Sequence, residues 1–344
     1  MPAAPSPRLF LVDGYALIYR AFYALGAQPL INSRGENTSI ARGAHEFLKR
    51  LIEKHKPEYL GWVHDAGLSF RHERYPAYKA TRERLEPGLQ ADFDTGVERI
   101  TQILDAYRIP VLELDGYEAD DVIGTLAKQA AATGVNVVIV SGDKDFVQLV
   151  GKRVWILNPW HGRPGFTTEK WYDVDNAAER LGVPPDRVVD YLALLGDTSD
   201  NIPGVKGIGE KTAHELIERW GTLESILANK EEVEPTRARN ALKQFGDNGL
   251  MSKELLTIRA DLSIALDLPA LELKPPDWSR LRDLFVELEF RTDAQAAAAH
   301  AGEATPPTVD GAASASPVIG REYQVIDTAE GVRKLVAADR KSVV

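Results

Sequence analysis

The chain has 344 residues, 44% hydrophobic and 27% charged, and contains no cysteine. That length suggests about two globular domains, and the missing thiols exclude a disulfide scaffold and any thiolate metal site. A formal net charge of -10 argues only weakly against a nucleic-acid partner, because acids gathered round cations are neutralised locally and the sign of a patch outweighs the total.

Residues 1–7 are rich in Pro and Ala, lack a basic start and read as a disordered N-terminus. The apolar run that follows is too short for a signal or membrane helix, so a bacterial-type cytosolic location is expected, with no membrane partner. Residues 8–12 read as a buried strand that ends at Asp13-Gly14. A helix carrying Arg20 follows over 16–25, then a second amphipathic helix over 39–55 that stops before Pro57. The next strand, 59–63, leads directly into His64-Asp65.

Residues 67–88 show no core periodicity. They mix basic residues with Phe70, Tyr75 and Tyr78, and from Arg71 to Arg84 they carry Arg71, Arg74, Lys79, Arg82 and Arg84 against only Glu73 and Glu83. Such a mixture can stack bases and hold phosphates, and it fits a solvated surface loop equally well.

A long helix is expected over 90–107 and a strand over 109–114. Glu118, Asp120 and Asp121 then open a helix over 119–133, where the helix dipole favours acids. The strongest strand, 135–140, is followed by Asp143 and Asp145. Alternating strands and helices specify an α/β fold with a mostly parallel central sheet flanked by helices. Ligands of such sheets collect beyond the carboxyl ends of the strands, where Asp13, Asp65, the 118–121 acids and the 143–145 acids all map. One acid after a strand is usually a turn former or helix cap. Repetition at every strand end instead favours a site for a hard divalent cation, Mg²⁺ or Mn²⁺.

After a strand at 153–157 the pattern reads as helical, over 168–181 and 185–195, leading to a loop with Asp197 and Asp200. Gly204, Gly207 and Gly209, beside Lys206, Lys211 and Thr212, suggest a hairpin with outward amides at the start of a helix that runs to Trp220. Exposed amides at a helix N-terminus suit a phosphate backbone, although the glycine spacing alone also fits an ordinary helix–turn–helix. Helices are expected to continue to about 291. Residues 293–320 read as a flexible linker, and 321–344 as the truncated start of another domain.

Leu11-Val12-Asp13-Gly14, Gly116-Tyr117-Glu118-Ala119-Asp120-Asp121-Val122, Asp143-Lys144-Asp145, the 196–201 loop and the 204–212 glycine segment together resemble the 5′→3′ exonuclease domain of bacterial DNA polymerase I. That domain belongs to the flap endonuclease superfamily, and the resemblance covers residues 8–292. It implies a PIN/flap-nuclease-like core over 8–195, with an arch near 67–88. It also implies a C-terminal helical DNA-binding subdomain over 196–292, carrying a helix–hairpin–helix-like element at 202–220. Two divalent ions would be held by Asp13, Asp65, Glu118 and Asp120 on one side and Asp143, Asp145 and Asp197 on the other, with Asp121 and Asp200 behind them. Lys79, Arg82, Arg20 and Arg71 would act at the scissile phosphate. Tyr78 would line the arch, and Gly204, Lys206, Gly207, Gly209, Lys211 and Thr212 would grip the duplex, with K⁺ a further ligand there.

The resemblance further implies hydrolysis of DNA at a 5′ end or 5′ flap, RNA primer–DNA included. It implies a monomer joined to downstream proofreading-like and polymerase domains, working in primer removal and excision repair. His64 departs from the family pattern, which has an apolar residue there, and a packing role is favoured for it. A stand-alone 5′ nuclease, a silent duplex-binding module and a small-molecule phosphatase are the rival readings.

Overall fold

The computed structural model describes residues 7–25, 28–82, 85–163 and 166–302. The expected disorder at 1–6, the basic residue Arg84, the remainder of the linker and the 321–344 fragment lie outside these residues. Short, mainly apolar runs form the centre of the fold: β1 (Arg8–Asp13), β2 (Tyr59–Val63), β3 (Val111–Leu112) and β4 (Asn136–Val140). They pair in parallel, and β5 (Val154–Arg163) and β6 (Phe166–Tyr172) complete a six-stranded sheet of order β3-β2-β1-β4-β5-β6. Parallel strands buried on both faces read as continuous Val/Ile/Leu runs, as here.

Along β1 the alternation divides the core. Leu9 and Leu11 face one apolar cluster, and Phe10 and Val12 face the other. Each side chain of this kind, fully buried, contributes about 1.5–3 kcal/mol.

β6 corrects the sequence reading, which had 168–181 helical: the chain there is a strand antiparallel to β5, followed by a single turn at Ala177–Glu179. Thr168, Trp171 and Tyr172 are β-branched or aromatic residues that fit a pleated surface, and pairing with β5 decides the outcome.

Helices α1 (Gly14–Leu25), α2 (Ser39–His55), α3 (Phe70–Arg74), α4 (Pro87–Ala106) and α5 (Ala119–Ala132) connect the parallel strands. α2 shows why such segments are helical: Ile40, Ala44, Phe47, Leu48 and Leu51 recur every three or four residues and are buried together. It stops where Lys56 turns left-handed (φ 47°) before Pro57. The start of α1 depends on Gly14, where a Cβ would lie 2.3 Å from Trp62 Nε1 and 2.7 Å from the Val63 carbonyl. Only glycine lets the chain turn out of β1 this close to β2.

The remainder is helical: α6 (Val188–Leu195), α7 (Glu210–Trp220), α8 (Leu223–Ala228), α9 (Thr236–Leu256), α10 (Trp278–Glu287) and α11 (Arg291–Ala301). Apolar residues of α6 to α9 join the same cluster as Leu9 and Leu11, so these helices share a core with the sheet. α11 corrects the proposed start of the linker, since 294–301 is helical. Alanine is the strongest helix former, and Ala294, Ala297 and Ala298 are buried. Asp293 ties the helix to α2 through Arg42 (2.6 Å) and Lys49 (3.1 Å). Among the described residues no helix is long and apolar enough to cross a membrane.

Candidate active site

The parallel strands all end at one edge of the sheet, and a cavity of about 250 Å³ opens there. Asp13 is the last residue of β1, Asp65 follows β2, Glu118 and Asp120 open α5 after β3, and Asp143 and Asp145 follow β4. All six line the cavity, and Asp200 reaches it from the loop after α6. Asp121 and Asp197, also expected here, do not line it.

Local structure holds these acids in place. The Ser141 hydroxyl donates to Asp13 Oδ2 at 2.8 Å and accepts from the Asp143 amide at 3.0 Å, coupling the ends of β1 and β4. Asp65 accepts from the Ala119 amide at 2.7 Å, which fixes the first turn of α5 against β2. Glu118 caps that helix in a reciprocal box with Asp121.

Proximity and burial shift the acids' affinities for protons. Burial, then the Asp143 charge, push Asp13 up to about 7. The same two causes, in the same order, raise Asp145 to about 7. Asp120 is raised well above its ordinary value by burial and by Asp143 and Asp13. Glu118 moves the other way: burial opposes its ionisation, but Lys79 and Arg71 overcome this and hold it low. Asp197 behaves likewise, with Lys144 and Ser199 outweighing burial. His64 is pushed down to about 4 by burial and accepts from Trp62 Nε1 at 2.8 Å. It is a neutral, packed residue.

The basic groups expected at the phosphate are mostly engaged with the protein. Arg71 is 2% exposed and forms a two-pronged pair with the fully buried Asp121 (2.6 and 2.9 Å). Arg71 Nε also donates to the Leu255 carbonyl at 2.7 Å, so this residue ties α3, α5 and α9 together. Lys79 donates to Glu118 at 2.8 Å, and Arg82 to Asp200 at 2.6 Å. Tyr78, expected to touch a DNA strand, is buried, and its hydroxyl lies 3.0 Å from Glu118 and 3.1 Å from Asp200. Arg20 differs: it is exposed on α1, with its guanidinium over the Trp160 ring at 4.9 Å.

The donor set is all oxygen, acidic and mutually repelling, which matches a hard divalent cation. Asp145 Oδ1 is buried without a hydrogen bond, its closest cation being Lys144 at 3.5 Å. An unsatisfied buried oxygen of this kind calls for a partner. As the side chains stand, no three acids among the described residues meet at a common ligand position. Glu118, Asp200 and Asp197 are instead paired with Lys79, Arg82 and Lys144. The chemistry of the set fits such an ion.

Residues 8–182 match the 5′-3′ exonuclease N-terminal resolvase-like domain, and residues 183–279 match the 5′-3′ exonuclease C-terminal SAM fold. The chain belongs to the 5′-3′ exonuclease family. DNA polymerase I of Chloroflexus aurantiacus is 41% identical over 83% of the chain, and that of Geobacillus stearothermophilus is 35% identical over 98%. The chain spans about a third of the length of these relatives, 30% and 36% respectively. In fold it resembles the bacteriophage T5 flap endonuclease solved with DNA and metal ions, with a TM-score of 0.62 at 21% identity over 82% of this chain and 99% of that one.

In this exonuclease-family chain the 202–220 segment departs in one respect from the hairpin expected. Gly204 is buried and its amide donates to Ser252 Oγ at 3.0 Å, so it does not face a ligand. Its Cα packs on Gly196, where a Cβ on Gly204 would lie 2.3 Å from the Gly196 nitrogen. Lys206, Gly207, Gly209 and Lys211 are exposed around the start of α7, and Thr212 is half-buried. Sequence reasoning missed Ser141 and Lys144. The position of Lys144 between Asp143 and Asp145 signalled it, whereas nothing in the sequence singled out the Ser141 hydroxyl.

Proposed function

We propose that the chain hydrolyses phosphodiesters of DNA at a 5′ end or 5′ flap, with divalent cations held among the strand-end carboxylates. The supporting observation is that acids from five separate segments line one cavity, three of them with strongly raised proton affinity. Asp13, Asp65, Glu118 and Asp120 would hold one ion and Asp143 and Asp145 a second, which Asp197 would join on leaving Lys144, with Asp121 and Asp200 supporting them. Bound Mg²⁺ or Mn²⁺ would supply an activated water and offset charge at the phosphate.

The protein's own contribution is orientation and countercharge. Ser141 fixes Asp13 relative to Asp143, and Asp65 fixes the start of α5. Lys79 and Arg82 stand at the cavity beside Glu118 and Asp200 and would meet the scissile phosphate as it enters. Arg71 keeps Asp121 and Glu118 in register from behind. Lys206, Lys211, Thr212 and the exposed glycines of the 202–220 segment would grip duplex backbone, with K⁺ as a further ligand there.

Alignment of the Geobacillus stearothermophilus DNA polymerase I over 98% of the chain favours a polymerase-linked nuclease over a stand-alone one. In that setting it would act as a monomer in the cytoplasm, on RNA primer–DNA as well as DNA. The test is cleavage of a 5′-flap oligonucleotide labelled at either end, with Mg²⁺ and with EDTA. Mg²⁺-dependent release from the 5′ side, lost in Asp120→Ala, is the expected result. Salt-sensitive binding without cutting under any divalent ion would refute the nuclease reading.

A further inference from the structure

β5 is irregular where it approaches the site. Its pairing with β6 shifts register between Asn158 and His161, and the Trp160 amide donates to the Asn158 side chain at 3.0 Å instead of to the ladder. A bulge of this kind re-aims a side chain. Here it sets Trp160 against the turn that carries Asp143, where a Cβ on Gly142 would lie 3.5 Å from the indole. Arg180 pins the same turn by donating to the Gly142 carbonyl at 2.6 Å. The indole also packs against Phe47 of α2, with ring centroids 5.7 Å apart.

Arg20 lies over this ring. Arg71, Lys79, Arg82 and Lys144 each have a carboxylate partner. Arg20, an exposed residue, has no hydrogen bond or ion pair among the described residues. It stands about 10 Å along α1 from Asp13, at 1.5 Å per residue. A planar cation resting on an aromatic face keeps its edge donors free for a phosphate.

We propose that Trp160 is a positioning residue: the bulge of β5 presents its ring as a platform that holds Arg20 ready for a backbone phosphate of the substrate beside the Asp143 turn. This rests on the nuclease reading above and assigns the β5–β6 hairpin a part in it. Trp160 itself touches no substrate.

The test compares Trp160→Leu with Trp160→Phe, both of which keep apolar bulk against Phe47 while only Phe keeps a π face. It adds Arg20→Ala and the Arg20→Ala/Trp160→Leu double variant. On a 5′-flap oligonucleotide with Mg²⁺, Trp160→Leu is expected to lose about threefold in kcat/KM, and Trp160→Phe to stay close to wild type. In the Arg20→Ala background, Trp160→Leu should cost nothing more, because the ring acts only through Arg20.

Binding of the same oligonucleotide in EDTA gives a readout that needs no cutting. Arg20→Ala should flatten the slope of log affinity against log salt by about one, and Trp160→Leu by part of that. Equal behaviour of the Leu and Phe variants, or the same further loss when Arg20 is absent, overturns the proposal. An Arg20→Ala variant that cuts and binds like wild type overturns it too, yet leaves the nuclease reading intact. Failure of wild type to cut would instead sink the nuclease reading, with the salt slopes still deciding on Trp160.

Discussion

Replacing Arg71 by alanine tests the interior of the site most directly. The guanidinium is 2% exposed and Asp121 is 0% exposed, so solvent screens neither charge. Removal leaves Asp121 with the Arg259 and Glu118 amides, at 2.8 and 3.3 Å, and no cation. It also strips a donor from the carbonyls of Leu255 and Thr257. Breaking a buried pair from one side costs about 3–5 kcal/mol, a large share of the roughly 5–15 kcal/mol that holds a domain folded. With a urea slope of about 1–3 kcal/mol/M, the unfolding midpoint should fall by more than about 1 M. Arg71→Met combined with Asp121→Leu, which removes both charges and keeps the volume, should recover most of that loss. A midpoint for Arg71→Ala within about 0.2 M of wild type, on the same scale, would refute the reasoning. The pair would then be no buried tie between α3, α5 and α9.

The raised carboxyls make a pH prediction of definite sign. Asp13 and Asp145 go from 3.8 to about 7 on folding, so the native state binds protons more tightly than the unfolded chain. In EDTA, Tm should therefore fall as pH rises from about 4 through 7, and Mg²⁺ should restore it most above pH 7. A flat EDTA profile with no Mg²⁺ effect would contradict this. Gly14→Ala would drive a methyl against Trp62 Nε1 and should cost about 1–3 kcal/mol, read as a fall in Tm. At the hairpin, Lys206→Ala and Lys211→Ala should each reduce the salt slope of duplex binding by about one, uniformly across sequences; unchanged slopes would remove these lysines from the interface.

The features legible in the sequence were those written in local pattern. Apolar runs gave β1, β2 and β4, and the acid after each strand gave Asp13, Asp65, Asp143 and Asp145 their place, because a parallel sheet brings its carboxyl ends to one edge. The misread elements were decided by partners distant in the chain or by competing signals. Phe166–Tyr172 is a strand because β5 lies beside it, and no helical or strand period in those few residues settles that alone. An Ala-rich segment without bulky apolar residues looked like linker, but α11 is held by Asp293 reaching Arg42 and Lys49 on α2. The charge pairing within the site was the least legible part. Arg71 and Asp121 are 50 residues apart, and Arg82 and Asp200 are 118 apart, and nothing local marks either as a couple. Gly204 was noticed as a glycine for the right segment and the wrong reason, since its need is close packing against Gly196 and not an amide aimed at phosphate.

The Ser141–Asp13 hydrogen bond joins residues 128 positions apart, and the Tyr78 hydroxyl reaches Asp200 across 122. β1 sits between β2 and β4 in the sheet, so its acid meets its neighbours only after long loops have closed, a slow step for parallel pairing. Asp13, though synthesised early, meets Ser141 only once β4 has been made and has paired. A chain still emerging from the ribosome would therefore carry the acids without the site. The carboxylate cluster would come into being late and nearly all at once, when β1, β2 and β4 have paired.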